Sequence, residues 1–203
     1  MFFPSLPDRT HASTEVVDHA PLHLLVASTT WKPQRVRLLS KESELPPIPA
    51  ATVVGHVHLK VSELERAVRF YSEVLGFDVI QRIGKSAAFL SAGGYHHHIG
   101  LNTWESRGGQ PPPRGSTGLY HVAFRYPDRR SLANALRRLK AFSVPLDGAA
   151  DHGVSEALYL RDPDGNGVEL YHDRPEAEWP RDPSGALQMV TKPLDLGDLL
   201  SAE

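Results

Sequence analysis

Two histidines and one glutamate carry the strongest chemical signal in this 203-residue chain. His56 and His121 each open an alternating apolar run, His56-Val-His-Leu-Lys-Val and His121-Val-Ala-Phe-Arg-Tyr, and the two runs can be laid side by side. Glu169 lies in the short apolar stretch GVELY, where a carboxylate without a partner would be costly to bury. Two imidazoles and one carboxylate on adjacent strands form a facial donor set that suits Fe(II), Mn(II) or Zn(II) and leaves coordination positions open. His58 shares a strand face with His56 and either supports that site from behind or packs as an ordinary side chain. A second acidic group, Asp162, Asp164 and Asn166 with Asp173 further on, nearly spells a calcium-binding EF-hand loop. Its flanks are strand-like and Glu169 stands where that loop needs an apolar residue, so DPDGNG reads as a tight β-turn instead.

The elements that must position these residues repeat. Thr52–Val61 alternates and is valine-rich, which predicts a strand. Ser62 begins S-E-L-E, a capping box with Glu65 reaching back. Leu64, Ala67, Val68, Tyr71, Val74 and Leu75 follow at helical spacing, and Gly76 stops the helix. Strands are expected at Phe77–Arg82, Ser86–Ser91 and His96–Asn102, with Gly84 and Gly93–Gly94 as turns. After a Gly/Pro linker at 103–116 the order returns: a strand at Thr117–Tyr126, a helix near Asp128–Phe142, then strands at Val144–Asp147, Glu156–Arg161 and Gly167–Tyr171. Two β-α-β-β-β modules, 51–102 and 117–173, are therefore expected in an α+β fold. One such module leaves a sheet face bare, and two can enclose a cup between them. Residues 1–50 show no sustained period and read as a mostly disordered extension.

Composition narrows the function. The formal net charge is -2, which gives no general pull toward nucleic acid or an anionic membrane. There is no cysteine, so disulfides, thiolate metal sites and a cysteine nucleophile are excluded together. The opening MFFPSLPDRTHAS lacks the pattern of a signal peptide, and Leu22 to Ala27 is too short an apolar run to span a bilayer. A cytoplasmic setting is the expectation. No P-loop, dinucleotide-binding glycine fingerprint or GxSxG elbow occurs.

The segments GHVHLKVSELERAVRFYSEVLGF, GLYHVAFRYPDR and DHGVSEALYLRDPDGNGVELY resemble the vicinal oxygen chelate superfamily, which includes glyoxalases, antibiotic-resistance proteins and extradiol ring-cleaving dioxygenases. The likeness runs over roughly residues 53–203 and is greatest toward the catechol 2,3-dioxygenase branch, with RPEAEWPRDPSG continuing it and residues 174–203 expected to pack on the domain as a tail. It implies a cup-shaped, partly open mixed β-barrel around a metal held by His56, His121 and Glu169. The place of a fourth ligand in glyoxalases falls at or beside Gly100, which has no ligand atom; His98 would take that role if the strand register were off by two. Three protein ligands leave room for a catecholate and dioxygen. The resemblance also puts an acid–base histidine at His97, with His96 and His98 as neighbouring candidates, an active-site tyrosine at Tyr159, and a substrate- or oxygen-contacting histidine at His152.

The function so implied is Fe(II)-dependent extradiol ring cleavage, with Mn(II) or Zn(II) as other metals, a catechol and O2 as partners, and a homodimer as one admissible assembly. A glyoxalase-like lyase or isomerase would use a divalent metal without oxygen chemistry. A resistance-type binding protein would need no metal donors at all.

Overall fold

Each predicted strand-and-helix pattern resolves into a sheet with its helix packed on one face. The structure is a computed structural model that describes residues 46–202; the extension read over residues 1–50 lies, up to residue 45, outside the described residues. In the first module β1 (Val57–Lys60) runs parallel to β4 (Ile99–Asn102), and β3 (Ala87–Ser91) and β2 (Asp78–Ile83) complete the order β1-β4-β3-β2. In the second, β5 (Val122–Arg125) runs parallel to β8 (Gly167–Asp173), followed by β7 (Ser155–Arg161) and β6 (Gly148–Asp151). A short β9 (Lys192–Pro193) adds to the edge of β6, giving β5-β8-β7-β6-β9. The two sheets are hydrogen-bonded separately, so they form an open pair rather than a closed barrel.

Helix α1 (Leu64–Arg69) begins differently from the expected capping box. Its N-cap is Glu63, whose carboxylate accepts from the backbone N–H of Glu65 and Arg66. Ser62 is drawn away: its N–H and hydroxyl both donate to Asp164 in the turn between β7 and β8. That turn is DPDGNG, closed around Asp162, which accepts from the N–H groups of Asp164 and Asn166 and from the Tyr71 hydroxyl. The acidic residues thus staple one module to the other. After a π-wound turn (Phe70–Val74), Arg138 of α2 (Arg129–Ala141) donates to the terminal carbonyls of Glu73 and Val74. Gly76 then reverses the chain at φ +93, against the Arg138 guanidinium.

Leu132, Ala133, Ala135, Leu136 and Leu139 bury one face of α2, the i, i+3, i+4 pattern of an amphipathic helix. They join Leu59, Val61, Leu90, Leu101, Leu158 and Leu170 in a single core that both modules share. Four strand starts move by more than one residue. The strand at Val144–Asp147 forms instead at Gly148–Asp151, because Val144 still closes the helix end through its N–H to Leu139. β4 starts at Ile99, so His96–His98 precede the strand, and β1 and β5 start one residue after His56 and His121.

The C-terminal residues complete the second sheet and its helix layer. α3 (Leu196–Leu200) buries Leu199 completely, and Asp195 caps it. Arg129 at the start of α2 donates to Asp198 of α3 and to Glu156 of β7. Glu156 is only 2% exposed and also accepts from Arg174 and pairs with His172, its cross-strand neighbour on β8. Among the described residues no helix is long and apolar enough to cross a membrane.

Candidate functional site

Sheet register explains how distant residues meet. Tyr159 on β7 stands directly opposite Glu169 on β8, and Glu169 is opposite Ala123 on β5. His121, two residues before Ala123, is on the same side of its strand and reaches the carboxylate. The result is a contact of 2.9 Å between His121 Nε2 and Glu169 Oε2, while the Tyr159 hydroxyl donates to Glu169 Oε1 at 3.0 Å. Close approach depends on Gly167: a Cβ there would fall 2.1 Å from the Tyr120 carbonyl oxygen and 3.0 Å from His121 Cα. His152, in the turn from β6 to β7, places Nε2 2.8 Å from the Tyr159 hydroxyl. Burial, then the bond to Glu169, raises the Tyr159 phenol well above its usual range, so it stays protonated and can donate.

Two donors bound about 2.1 Å from one ion at right angles lie about 3 Å apart, which is the spacing of the His121–Glu169 pair. The structure does not bring His56 to them; among the described residues no group of three His, Asp or Glu side chains is assembled for a metal. His56 instead packs against His97, ring centroids 4.4 Å apart and the planes tilted by 46°. Both His56 and His121 nevertheless line one open cavity of about 1090 Å³, with Phe77, Phe124 and Tyr171 among its apolar walls. The donor chemistry therefore fits a divalent ion, with two donors at ligand spacing and the third across the same cavity.

The three consecutive histidines separate by environment. His98 is tied back to its own hairpin, its Nδ1 3.0 Å from the Ser91 hydroxyl and accepting from the Ala92 N–H at 3.3 Å. His97 sits beside His56 and Phe89. His96 lies beyond it, Nδ1 to Nδ1 2.7 Å. Burial, then the neighbouring imidazoles, lowers the His97 pKa, so the ring is neutral near pH 7.

The place expected for a fourth ligand is filled from across the sheet. Gly100 pairs with His58, and the His58 ring lies over it between Phe89 and Trp104. A Cβ on Gly100 would meet His58 Cδ2 at 2.9 Å. Gly100→Ala is therefore expected to cost about 1–3 kcal/mol. The His58→Ala/Gly100→Ala pair should cost less than the two single changes summed, as read by urea denaturation. Sequence reasoning missed the C-terminal contacts of His152: its Nδ1 is 2.9 Å from the Val190 carbonyl oxygen and 3.3 Å from the Thr191 hydroxyl. A backbone acceptor leaves no residue-type signal by which it could have been found.

The chain belongs to the Glyoxalase/Bleomycin resistance protein/Dioxygenase superfamily, whose family model matches residues 53–170. It is 43% identical over 150 residues to a catechol-2,3-dioxygenase of Bacillus subtilis (strain 168), covering 73% of this chain and 51% of that protein. It is 33% identical over 122 residues to a biphenyl-2,3-diol 1,2-dioxygenase of Rhodococcus globerulus, covering 59% and 63%. The chain thus spans about half the length of the Bacillus relative. A glyoxalase/dioxygenase structure from Nostoc punctiforme shares the fold, with a TM-score of 0.55 at 20% identity over 67% of this chain and all of that one.

Proposed function

We propose that the protein is a metal-dependent extradiol dioxygenase that opens a catecholic ring beside its two hydroxyls. The observation that carries this reading is the chain of contacts His121–Glu169–Tyr159–His152 on one sheet, with His121 also lining the cavity that His56 lines. The 43% identity to a catechol-2,3-dioxygenase supports the substrate class. His121 and Glu169 would hold the ion together with His56 once its ring turns from His97. The metal, Fe(II) or else Mn(II) or Zn(II), would supply binding and polarisation of the diol oxygens and of O2. The chain's own residues do the rest. Neutral His97 takes a proton from a catechol hydroxyl, the task of an acid–base group poised near pH 7. Tyr159 keeps its proton and donates it within hydrogen-bond reach of Glu169 and His152. Phe77 and Phe124, with ring centroids 5.0 Å apart, line the same cavity where it meets the core.

Glu169→Ala is expected to lower bound metal at least about tenfold, more than the loss usual for a supporting group behind the ligands. Elemental analysis of the purified variant measures this, and full occupancy would remove Glu169 from the donor set. An oxygen electrode with iron-loaded protein and a panel of catechols tests the function: oxygen should be consumed only when a catechol is present. Turnover of a hemithioacetal without oxygen would replace this reading by a glyoxalase-like one.

A further inference from the structure

Residues 179–190 lie beyond the stretch that the family model matches, yet they close over the turn that carries His152. They form a self-contained hairpin. Arg181 bridges to Leu187, the Asp182 carboxylate accepts from the N–H groups of Ser184 and Ala186, and Gln188 N–H donates to the Pro180 carbonyl. Trp179 anchors its start, donating from Nε1 to the Arg174 carbonyl. The far end docks on the His152 turn twice: Val190 N–H donates to the His152 carbonyl at 3.1 Å, and the Val190 carbonyl faces His152 Nδ1 at 2.9 Å. The fit is tight at Gly153, where a Cβ would come within 2.6 Å of Pro180 and 3.2 Å of Val190.

A carbonyl oxygen only accepts hydrogen bonds, so a ring nitrogen held against it must carry the proton. We propose that this hairpin is a positioning element of the site: the Val190 carbonyl holds the His152 imidazole in its Nδ1–H form. Nε2, 2.8 Å from the Tyr159 hydroxyl, is then the basic nitrogen of the neutral ring. Tyr159 thus faces two acceptors, His152 Nε2 and Glu169 Oε1, and while keeping its proton it can turn its one donated hydrogen bond to His152 when Glu169 is engaged elsewhere. The backbone sets the direction of that hydrogen bond, as a second group behind a working imidazole commonly does. The catalytic consequence rests on the dioxygenase reading, whereas the tautomer does not.

The test is nitrogen-15 NMR of the histidine side chains in the full-length, zinc-loaded protein, with His152→Gln used to assign the His152 signals. The expected spectrum shows Nδ1 protonated and Nε2 bare in the neutral ring; a bare Nδ1 overturns the proposal. Gly153→Ala, which pushes Pro180 and Val190 outward, should give mixed tautomers and about a tenfold lower kcat on catechol with a smaller change in KM. A Gly153→Ala protein with the parental tautomer and kcat also overturns it. Thr191→Val keeps the Val190 carbonyl and should keep the tautomer; its loss would transfer the role to the Thr191 hydroxyl and defeat the proposal as stated. If Gly153→Ala does not fold, the spectrum of the unaltered protein decides alone. If the unaltered protein cleaves no catechol, the dioxygenase reading falls while the spectrum still decides the hairpin's role.

Discussion

Replacing His97 by alanine is expected to slow catechol cleavage by about 10²–10⁴-fold while leaving bound metal unchanged, the range typical of a lost acid–base group. The expectation comes from its placement. His97 packs against His56 with tilted rings and meets Phe89 edge-on, so it borders the proposed metal site without belonging to the proposed donor set. His98→Ala should behave differently, because His98 bonds to Ser91 and the Ala92 N–H and so holds the end of β3. Steady-state kinetics with parallel metal analysis separates the cases. Loss of turnover in His96→Ala with full activity in His97→Ala would shift the acid–base role by one residue. Metal loss in His97→Ala would make it a ligand.

The largest effect on stability is expected at Glu156, far from the chemistry. Its buried carboxylate receives Arg129 at 2.7 Å, Arg174 at 2.8 Å and His172 at 3.1 Å, tying α2, β7 and β8 to one point. Removing one partner of a buried ion network leaves the others uncompensated and costs about 3–5 kcal/mol. Glu156→Ala should therefore shift the urea midpoint strongly, with metal content kept in the fraction that remains folded. A change under about 1 kcal/mol would show that water replaces the carboxylate at no great cost.

The two modules were legible because each begins with an alternating run and a helix of clear period, and these are the local signals that burial selects. The repeat paired His121 with His56 and the apolar stretch singled out Glu169, whereas Tyr159 came only from the family resemblance, and it is the sheet register that sets it opposite Glu169. Other features depend on long-range partners that no local pattern carries. Ser62 loses the capping role to Glu63 because Asp164, 102 residues away, offers it a charged acceptor. His58 takes the space above Gly100 because parallel pairing sets them side by side, and strand partners are not written in either segment. The fifth strand at Lys192–Pro193 is too short to show any period. His56 also differs from expectation, since its ring lies on His97 rather than with His121 and Glu169.

If the protein is the proposed dioxygenase, both atoms of dioxygen enter the catecholic ring as it opens next to its diol. The most direct measurement is mass spectrometry of the product formed by iron-loaded protein from catechol under ¹⁸O₂. The expected product is a yellow ring-opened aldehyde acid that gains both oxygen atoms from one O2, with unlabelled product when labelled water replaces labelled gas, apart from aldehyde exchange. A product free of label, a colourless diacid from cleavage between the hydroxyls, or catechol recovered intact would contradict it.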